Sequence, residues 1–399
     1  MPQGWKAYLA TLIAGFLVAV MAFATPGHAE TLEINIAYIR QQQDRPPVLS
    51  NLDPIPEDEG LAGAILGNAD NAGTGKFLNH KYLLSVFELD QNGTLTAVSG
   101  PQDQPGDLIL IDAAAAPILR FADRPENANR LIINMRSPAD ALRDTDCRAN
   151  LLHTIPSYGM RADALAQFLL LRRWDDLVMI RGRHPNDRAF AAAIETSTRK
   201  FGLKIRATKD WIEDADLRRS ASTEMPLFTQ SLPAHDILIV ADETDDFARY
   251  LPFNTWLPRP VAGSEGIRPT GWSPVVESWG AAQLQARFRD SAARPMRPVD
   301  YAAWAAVRTL GEAVTRTNTA DAAILRDYIL SGAFELAGFK GRALSFRTWN
   351  GQLRQTIHLV HPRAVVANAP LPGFLHQFTE LDTLGLDAPE TACRAFGTP

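Results

Sequence analysis

Open parallel sheets place ligands outside the carboxyl ends of their strands, so residues that end apolar, strand-like runs are the first candidates for chemistry. On this reading the sequence offers Tyr38 and Arg40, Asp112, Arg136, Ser157 and Tyr158, Arg183, Asp242 and Glu243, Glu265, and Trp272. Acids mixed with arginines suit a polar small-molecule ligand, or a cation held by carboxylates. Each residue also has the plainer alternative of a solvated loop side chain. Asp112 is the better candidate, because an acid ending the apolar run LILI sits where a cleft should be. Tyr158 and Trp272 belong to TIPSYG (154–159) and IRPTGWSP (267–274), which read as crossings between two halves of the chain. An aromatic ring at such a crossing could close over a ligand.

Other patterns fail on their spacing. The acidic run ADETDD, with Asp242, Glu243, Asp245 and Asp246, offers oxygen ligands for a hard cation. It lacks the glycine and terminal glutamate of a calcium loop, and a solvated helix N-terminus explains it better. In GTGK (73–76) a phosphate loop would need glycine at Asp70 and a hydroxyl at Phe77. The glycines of GSEG (263–266) are wrongly spaced around Ser264 for a nucleophile elbow. His358 and His361 of HLVH fall on opposite faces of a strand and make no metal pair. No Ser/His/Asp set is supported locally. The expectation is a protein that is not an enzyme, with no cofactor and no metal.

The elements that must position these residues alternate between strand-like and helical runs, the pattern of an α/β fold with parallel sheets. LEINIAYI, KYLLSVFEL, DLILIDA and RLIINMRS read as strands; EDEGLAGAILGNADNAGTG reads as a helix with small residues on one face, and AAAPILRFAD as a short helix. A second series follows: the amphipathic helix GMRADALAQFLLLRRW, strand DDLVMIRG, helix DRAFAAAIETSTRKFG, and strands LKIRATKDW, HDILIVAD and RPVAGSEG. The chain then returns to helices in WGAAQLQARFRDSA, DYAAWAAVRTLGEAVTR and AAILRDYILSG. A strand RALSFR and a strand QLRQTIHLV close it, joined by an Asn350-Gly351 turn. Two such series predict two lobes with a cleft between them, a favoured place for a small ligand.

The N-terminus carries Lys6, the uncharged run YLATLIAGFLVAVMAFA, and small residues Gly27 and Ala29 before Glu30. These features describe a cleaved secretory signal peptide at 1–29, with a membrane anchor as the alternative. The composition, 46% hydrophobic and 21% charged, is that of a globular protein. A formal charge of −5 gives no reason to expect nucleic acid as a partner. Cys147 and Cys393 are the two cysteines. In an exported chain they are expected to form a disulfide, two free buried thiols being the alternative.

The stretch DYAAWAAVRTLGEA, then AAILRDYILSG, then FELAGFKGRALSFRTWNGQLRQ resembles the C-terminal signature of type I periplasmic binding proteins, the Leu/Ile/Val-binding group of ABC importers. Three further stretches, DEGLAGAILGNADNAGTGKF, LRDTDCRANLLHTIPSYGMRADALAQFLLLRRW and ADETDDFARYLPFNTWLPRPVAGSEGIRPTGW, resemble one branch of that group. That branch is the substrate-binding protein associated with PQQ-dependent alcohol dehydrogenase systems. The resemblance implies an α/β fold of two Rossmann-like lobes joined by crossing strands. The lobes would be 30–155 with 275–340 and 156–274 with 341–380, followed by a tail at 381–399. It also implies a periplasmic location, a small solute in the cleft, an ABC permease as partner, and a link to a quinoprotein dehydrogenase system. An accessory or sensor protein acting by contact, without solute delivery, is the alternative. Amino-acid binders of this group hold the ligand's carboxylate with a Gly/Ser-rich loop and a small hydroxyl residue. IRQQQDRPP and DAAAAP stand in those places here, so a free α-amino acid is not the expected ligand.

Overall fold

The computed structural model describes residues 31–41, 54–212 and 217–397, so the expected signal peptide lies outside the described residues. In chain order the strands are β1 (Leu32–Arg40), β2 (His80–Leu89), β3 (Leu95–Ser99), β4 (Leu108–Asp112), β5 (Leu131–Asn134), β6 (Leu151–His153), β7 (Asp176–Arg181) and β8 (Lys204–Asp210). They continue as β9 (Ile237–Ala241), β10 (Val261–Gly263), β11 (Arg268–Thr270), β12 (Leu336–Ala337), β13 (Ala343–Phe346), β14 (Leu353–Arg354), β15 (Ile357–His361) and β16 (Ala364–Ala369). The helices are α1 (Leu61–Leu78), α2 (Ala115–Ala122), α3 (Tyr158–Arg172), α4 (Pro185–Lys200), α5 (Leu217–Thr229), α6 (Ala281–Ala292), α7 (Pro298–Thr317) and α8 (Ala322–Ile329).

Two parallel sheets organise the chain into two lobes. The first runs β3-β2-β1-β4-β5-β6, with β3 its antiparallel edge, and the second runs β10-β9-β7-β8. Helices cover both faces of a parallel sheet, so central strands are apolar throughout rather than alternating. In β1, Ile34, Ile36 and Tyr38 face one core while Ala37 and Ile39 face the other. β7 and β9 divide in the same way between two cores of the second lobe.

The expected small-residue face of the first helix serves close packing. A Cβ on Gly63 would lie 1.9 Å from the Asp300 carbonyl oxygen, and one on Gly67 would lie 3.0 Å from that of Trp304. α1 therefore rests almost backbone-to-backbone on α7. Its helix runs on through GTGK, so these residues form the last turn of a helix and no loop.

The C-terminal strand pair differs from expectation. β13 and β14 form the hairpin across Asn350-Gly351, pairing Phe346 with Leu353. The long strand then breaks at Gln355–Thr356, and β15 joins an antiparallel sheet of order β11-β15-β16. Packing explains the break. Leu344, Phe346 and Leu353 belong to the first core, Ile357 and Leu359 to the second. Helix α5, with Pro226 inside it, and the edge strand β3 were not expected from the sequence. Cys147 and Cys393 form a disulfide, with Cα atoms 5.7 Å apart.

Candidate functional site

At the carboxyl end of the first sheet, Tyr38 lies near the end of β1, Asp112 ends β4, and Arg136 follows β5. The three meet. Tyr38 Oη donates to Asp112 Oδ2 at 2.7 Å, and Arg136 clamps the same carboxylate through Nε at 2.5 Å and Nη2 at 3.0 Å. Arg136 Nη1 reaches Glu59 Oε2 at 2.6 Å, and Glu59 lies 3.6 Å from the Arg297 guanidinium. Burial and the neighbouring Asp112 carboxylate both push the Tyr38 hydroxyl well above its ordinary range. Burial works to lower the Arg136 pKa, but the adjacent Asp112 and Glu59 carboxylates together outweigh it and raise the pKa above its ordinary value. Arg136 is a cation at any pH the protein meets.

Gly60 explains how the chain closes over this cluster. It has φ 87°, and a Cβ there would lie 2.8 Å from Tyr38 Oη and from Met135 Cε. Only glycine lets the backbone approach so closely in that conformation. The Gly60 N–H, at the start of α1, donates to the fully buried Asp300 Oδ1 at 2.7 Å. Arg40, at the sheet's rim, pairs instead with Glu88.

The second sheet ends in a similar set of closed pairs. Asp242 accepts backbone N–H groups from Asp246, Phe247 and Ala248 at 2.9, 2.8 and 2.7 Å. Glu243 takes a bidentate contact from Arg161 at 2.6 and 2.9 Å and a hydroxyl from Ser264 at 2.8 Å. Asp187, at the start of α4, accepts the N–H groups of His184 and Glu243. Burial, and then the nearby Asp242 carboxylate, push Asp187 up to about 6. Ser157 caps α3, Asp140 accepts the Gly159 N–H, and burial raises the Asp140 pKa. Tyr158 is buried beside Phe190. Arg183 lies 3.9 Å from Asp246, and Glu265 folds back onto the N–H of Gly266. The acidic run is thus a set of caps and pairs rather than the expected solvated helix N-terminus, with Asp242 buried under the N–H groups it accepts. Among the described residues no group of His, Cys, Asp and Glu is arranged to hold a metal ion.

Trp272, expected at a crossing where its ring could close over a ligand, is instead part of the first core. It is 1% exposed, stacks on Tyr301 at 4.6 Å, and donates Nε1–H to Gln285. Lys340, also 1% exposed, packs on the same tyrosine, with Nζ 4.5 Å from the Tyr301 ring centre. That Nζ donates to Gln355 Oε1 at 2.5 Å and the Thr356 carbonyl at 3.1 Å, and burial pushes its pKa well down. His358 is buried next to these groups and burial holds it down to about 3.

Sequence reasoning missed Glu59, Asp140, Arg161, Asp187, Asp300 and Lys340. Two of them carried a readable signal. HPND and RPVD each place proline at the first helical position and an acid at the third, the spacing of a capping box. Lys340 carried none, since a lysine between glycines reads as a turn.

Neither a family model nor a curated protein matches the sequence. Solved structures do match in fold. A periplasmic binding protein from Burkholderia mallei superposes with a TM-score of 0.63 at 14% identity, covering 91% of this chain and 99% of that one. A branched-chain amino acid ABC transporter periplasmic ligand-binding protein from Burkholderia xenovorans gives 0.65 at 12% identity, over 91% and 100%. An ABC transporter solute-binding protein from R. palustris, solved with benzoate, gives 0.62 at 12% identity, over 91% and 99%. The chain has the fold of type I periplasmic binding proteins.

Proposed function

We propose that the protein is the periplasmic solute-binding component of an ABC transporter, closing two lobes over a small solute and delivering it to a membrane permease. The observation that carries this reading is the fold correspondence, which spans nine-tenths of this chain and essentially all of proteins described as transporter binding proteins. On this reading the charged side chains at the strand ends of both sheets line the cleft between the lobes, the favoured ligand site of paired α/β domains. We place the third crossing at Gln355–Thr356 rather than near residue 340, because the hairpin of β13 and β14 packs on the first core. The link to PQQ-dependent alcohol oxidation rests on sequence resemblance alone. A genomic neighbourhood without a permease and an ATPase would count against delivery.

The ligand class follows from how the strand ends are filled. Backbone N–H groups at helix N-termini make natural anion sites. Here the protein's own carboxylates take them: Asp300 at α1, Asp140 at α3, Asp187 at α4 and Asp242 after β9. Arg136 and Arg161 are each engaged by acids. An incoming carboxylate would have to displace one of these partners, losing roughly 1–3 kcal/mol for each hydrogen bond not replaced. Two such losses weaken binding by about two to four orders of magnitude. The proposed solute is therefore polar and carries no carboxylate. Calorimetry against alcohols, aldehydes, amides and amines on one side, and leucine, isoleucine, valine and benzoate on the other, tests it. Micromolar binding of any of the four carboxylates would sink this ligand class.

A further inference from the structure

We propose that the C-terminal segment from Leu371 to Phe396 is a strap across the hinge that limits how far the two lobes open. The segment leaves β16 inside the second lobe and ends on the first. At its start, the Leu371 N–H donates to Gln167 Oε1 of α3 at 3.0 Å, and Leu371 and Leu384 lie in the second core. In its middle, the Gly385 N–H donates to Asp163 Oδ2 at 2.8 Å, and Lys200 of α4 reaches both the Gly385 carbonyl and Glu390 at 3.2 Å. At its end, Thr391 Oγ1 donates to the Arg143 carbonyl at 3.1 Å, Cys393 is bonded to Cys147, and Phe396 packs against the first core.

A buried ion cluster pins the strap where it passes the hairpin. Asp382, 1% exposed, accepts from Arg347 Nε at 2.9 Å and from Arg354 Nε at 2.8 Å, one residue before the break at Gln355. Arg347 also donates to the carbonyls of Leu381 and Leu384, at 3.1 and 2.6 Å. The covalent topology makes the contact consequential. Cys147 precedes the first crossing and Cys393 follows the last, so the 246-residue span between them contains the whole second sheet. The first and the last passage between the lobes are thereby tied to one place on the first. Three single-strand crossings can bend by dihedral changes in a few residues. A fourth passage, anchored on both sides and closed by a covalent bond, removes part of that freedom.

The inference rests on a hinge between the lobes and not on the identity of the solute. Small-angle scattering and hydrogen exchange on the full chain test it with two variants. Cys147→Ser/Cys393→Ser opens the covalent anchor. Asp163→Asn/Lys200→Met loosens the anchor on the second lobe and leaves the disulfide intact, so it decides alone if the cysteine variant does not fold. The expected result is faster exchange in residues 381–393 together with a larger radius of gyration in at least one variant. Tail amides that are released while the radius stays unchanged overturn the strap, and so do tail amides that keep wild-type protection in both variants. Calorimetrically confirmed ligand binding separates the two readings. If it contracts the wild-type chain while the variants never expand, the strap falls alone; if the wild type does not contract, the hinge falls with it.

Discussion

At the strand ends of the first lobe, one arginine stands between two acids. Arg136 pairs with Asp112 and Glu59, all three largely buried, whereas the Tyr38 hydroxyl contributes a single hydrogen bond to Asp112. Removing one member of a buried pair leaves an uncompensated charge and costs about 3–5 kcal/mol; losing one hydroxyl donor costs about 1 kcal/mol. Urea unfolding should therefore rank Arg136→Met well below Tyr38→Phe in stability. Equal losses would mean that water, rather than the arginine, balances the acids. Asp187 supplies a pH test. Its folded-state pKa of about 6 lies above the ordinary carboxyl value, so the folded protein holds this proton more tightly than the unfolded chain. That contribution is complete below about pH 4 and fades as pH rises through 6, to a limit of about 3 kcal/mol. Asp187→Asn, which keeps one acceptor and cannot ionise, should gain on the wild type between pH 4 and 7. A stability difference that stays flat across this range would show that Asp187 titrates normally.

At the level of elements, the contact of α1 with α7 turns on glycines with opposite roles. Gly63 faces the Asp300 carbonyl with no room for a methyl group, whereas a Cβ on Gly73, in the same helix, would meet nothing within 4 Å. Gly63→Ala must push α1 off α7, and overpacking of this kind costs about 1–3 kcal/mol or more. Gly73→Ala adds helix propensity without a clash and should stabilise by about 0.5–1 kcal/mol. Chemical denaturation of the two variants should move the midpoint in opposite directions. Two shifts of the same sign would mean that α1 and α7 adjust freely. The small-residue face of this helix is visible in the sequence, but nothing local distinguishes a glycine required by packing from one that is merely tolerated.

On the scale of the whole molecule, the disulfide joins positions 246 apart in sequence, on either side of the second sheet and of the chain's return to the first core. Closing a loop of this length restricts the unfolded ensemble strongly, and loss of a native bridge typically costs about 2–5 kcal/mol. Reduction should lower the melting temperature, while reduction of a Cys147→Ser/Cys393→Ser control should change nothing. A wild-type melting curve insensitive to reduction, with both thiols shown to be free by alkylation, would leave the bridge without a stabilising role.

The βα alternation was legible because short, wholly apolar runs alternate with longer runs of helix-forming residues. Runs such as LILID and LIIN are too short and too apolar for a surface helix, whereas α3, expected to be amphipathic, is buried all round from Ala162 to Leu169 because both the second core and the C-terminal segment pack on it. The expected disulfide and the hairpin at Asn350-Gly351 were also readable, from the expectation of export and from turn chemistry, and strand-end position singled out Tyr38, Asp112 and Arg136, which the fold brings into mutual contact. Other features depended on residues far apart in sequence. Asp300 caps α1 from 240 positions away, and Arg161 meets Glu243 across 82. The strand QLRQTIHLV is continuous in its pattern, yet it breaks at Gln355–Thr356 because its two halves pack in different cores. Local periodicity reports which face of an element is buried; which core buries it, and which charges meet there, is decided when distant segments are brought together.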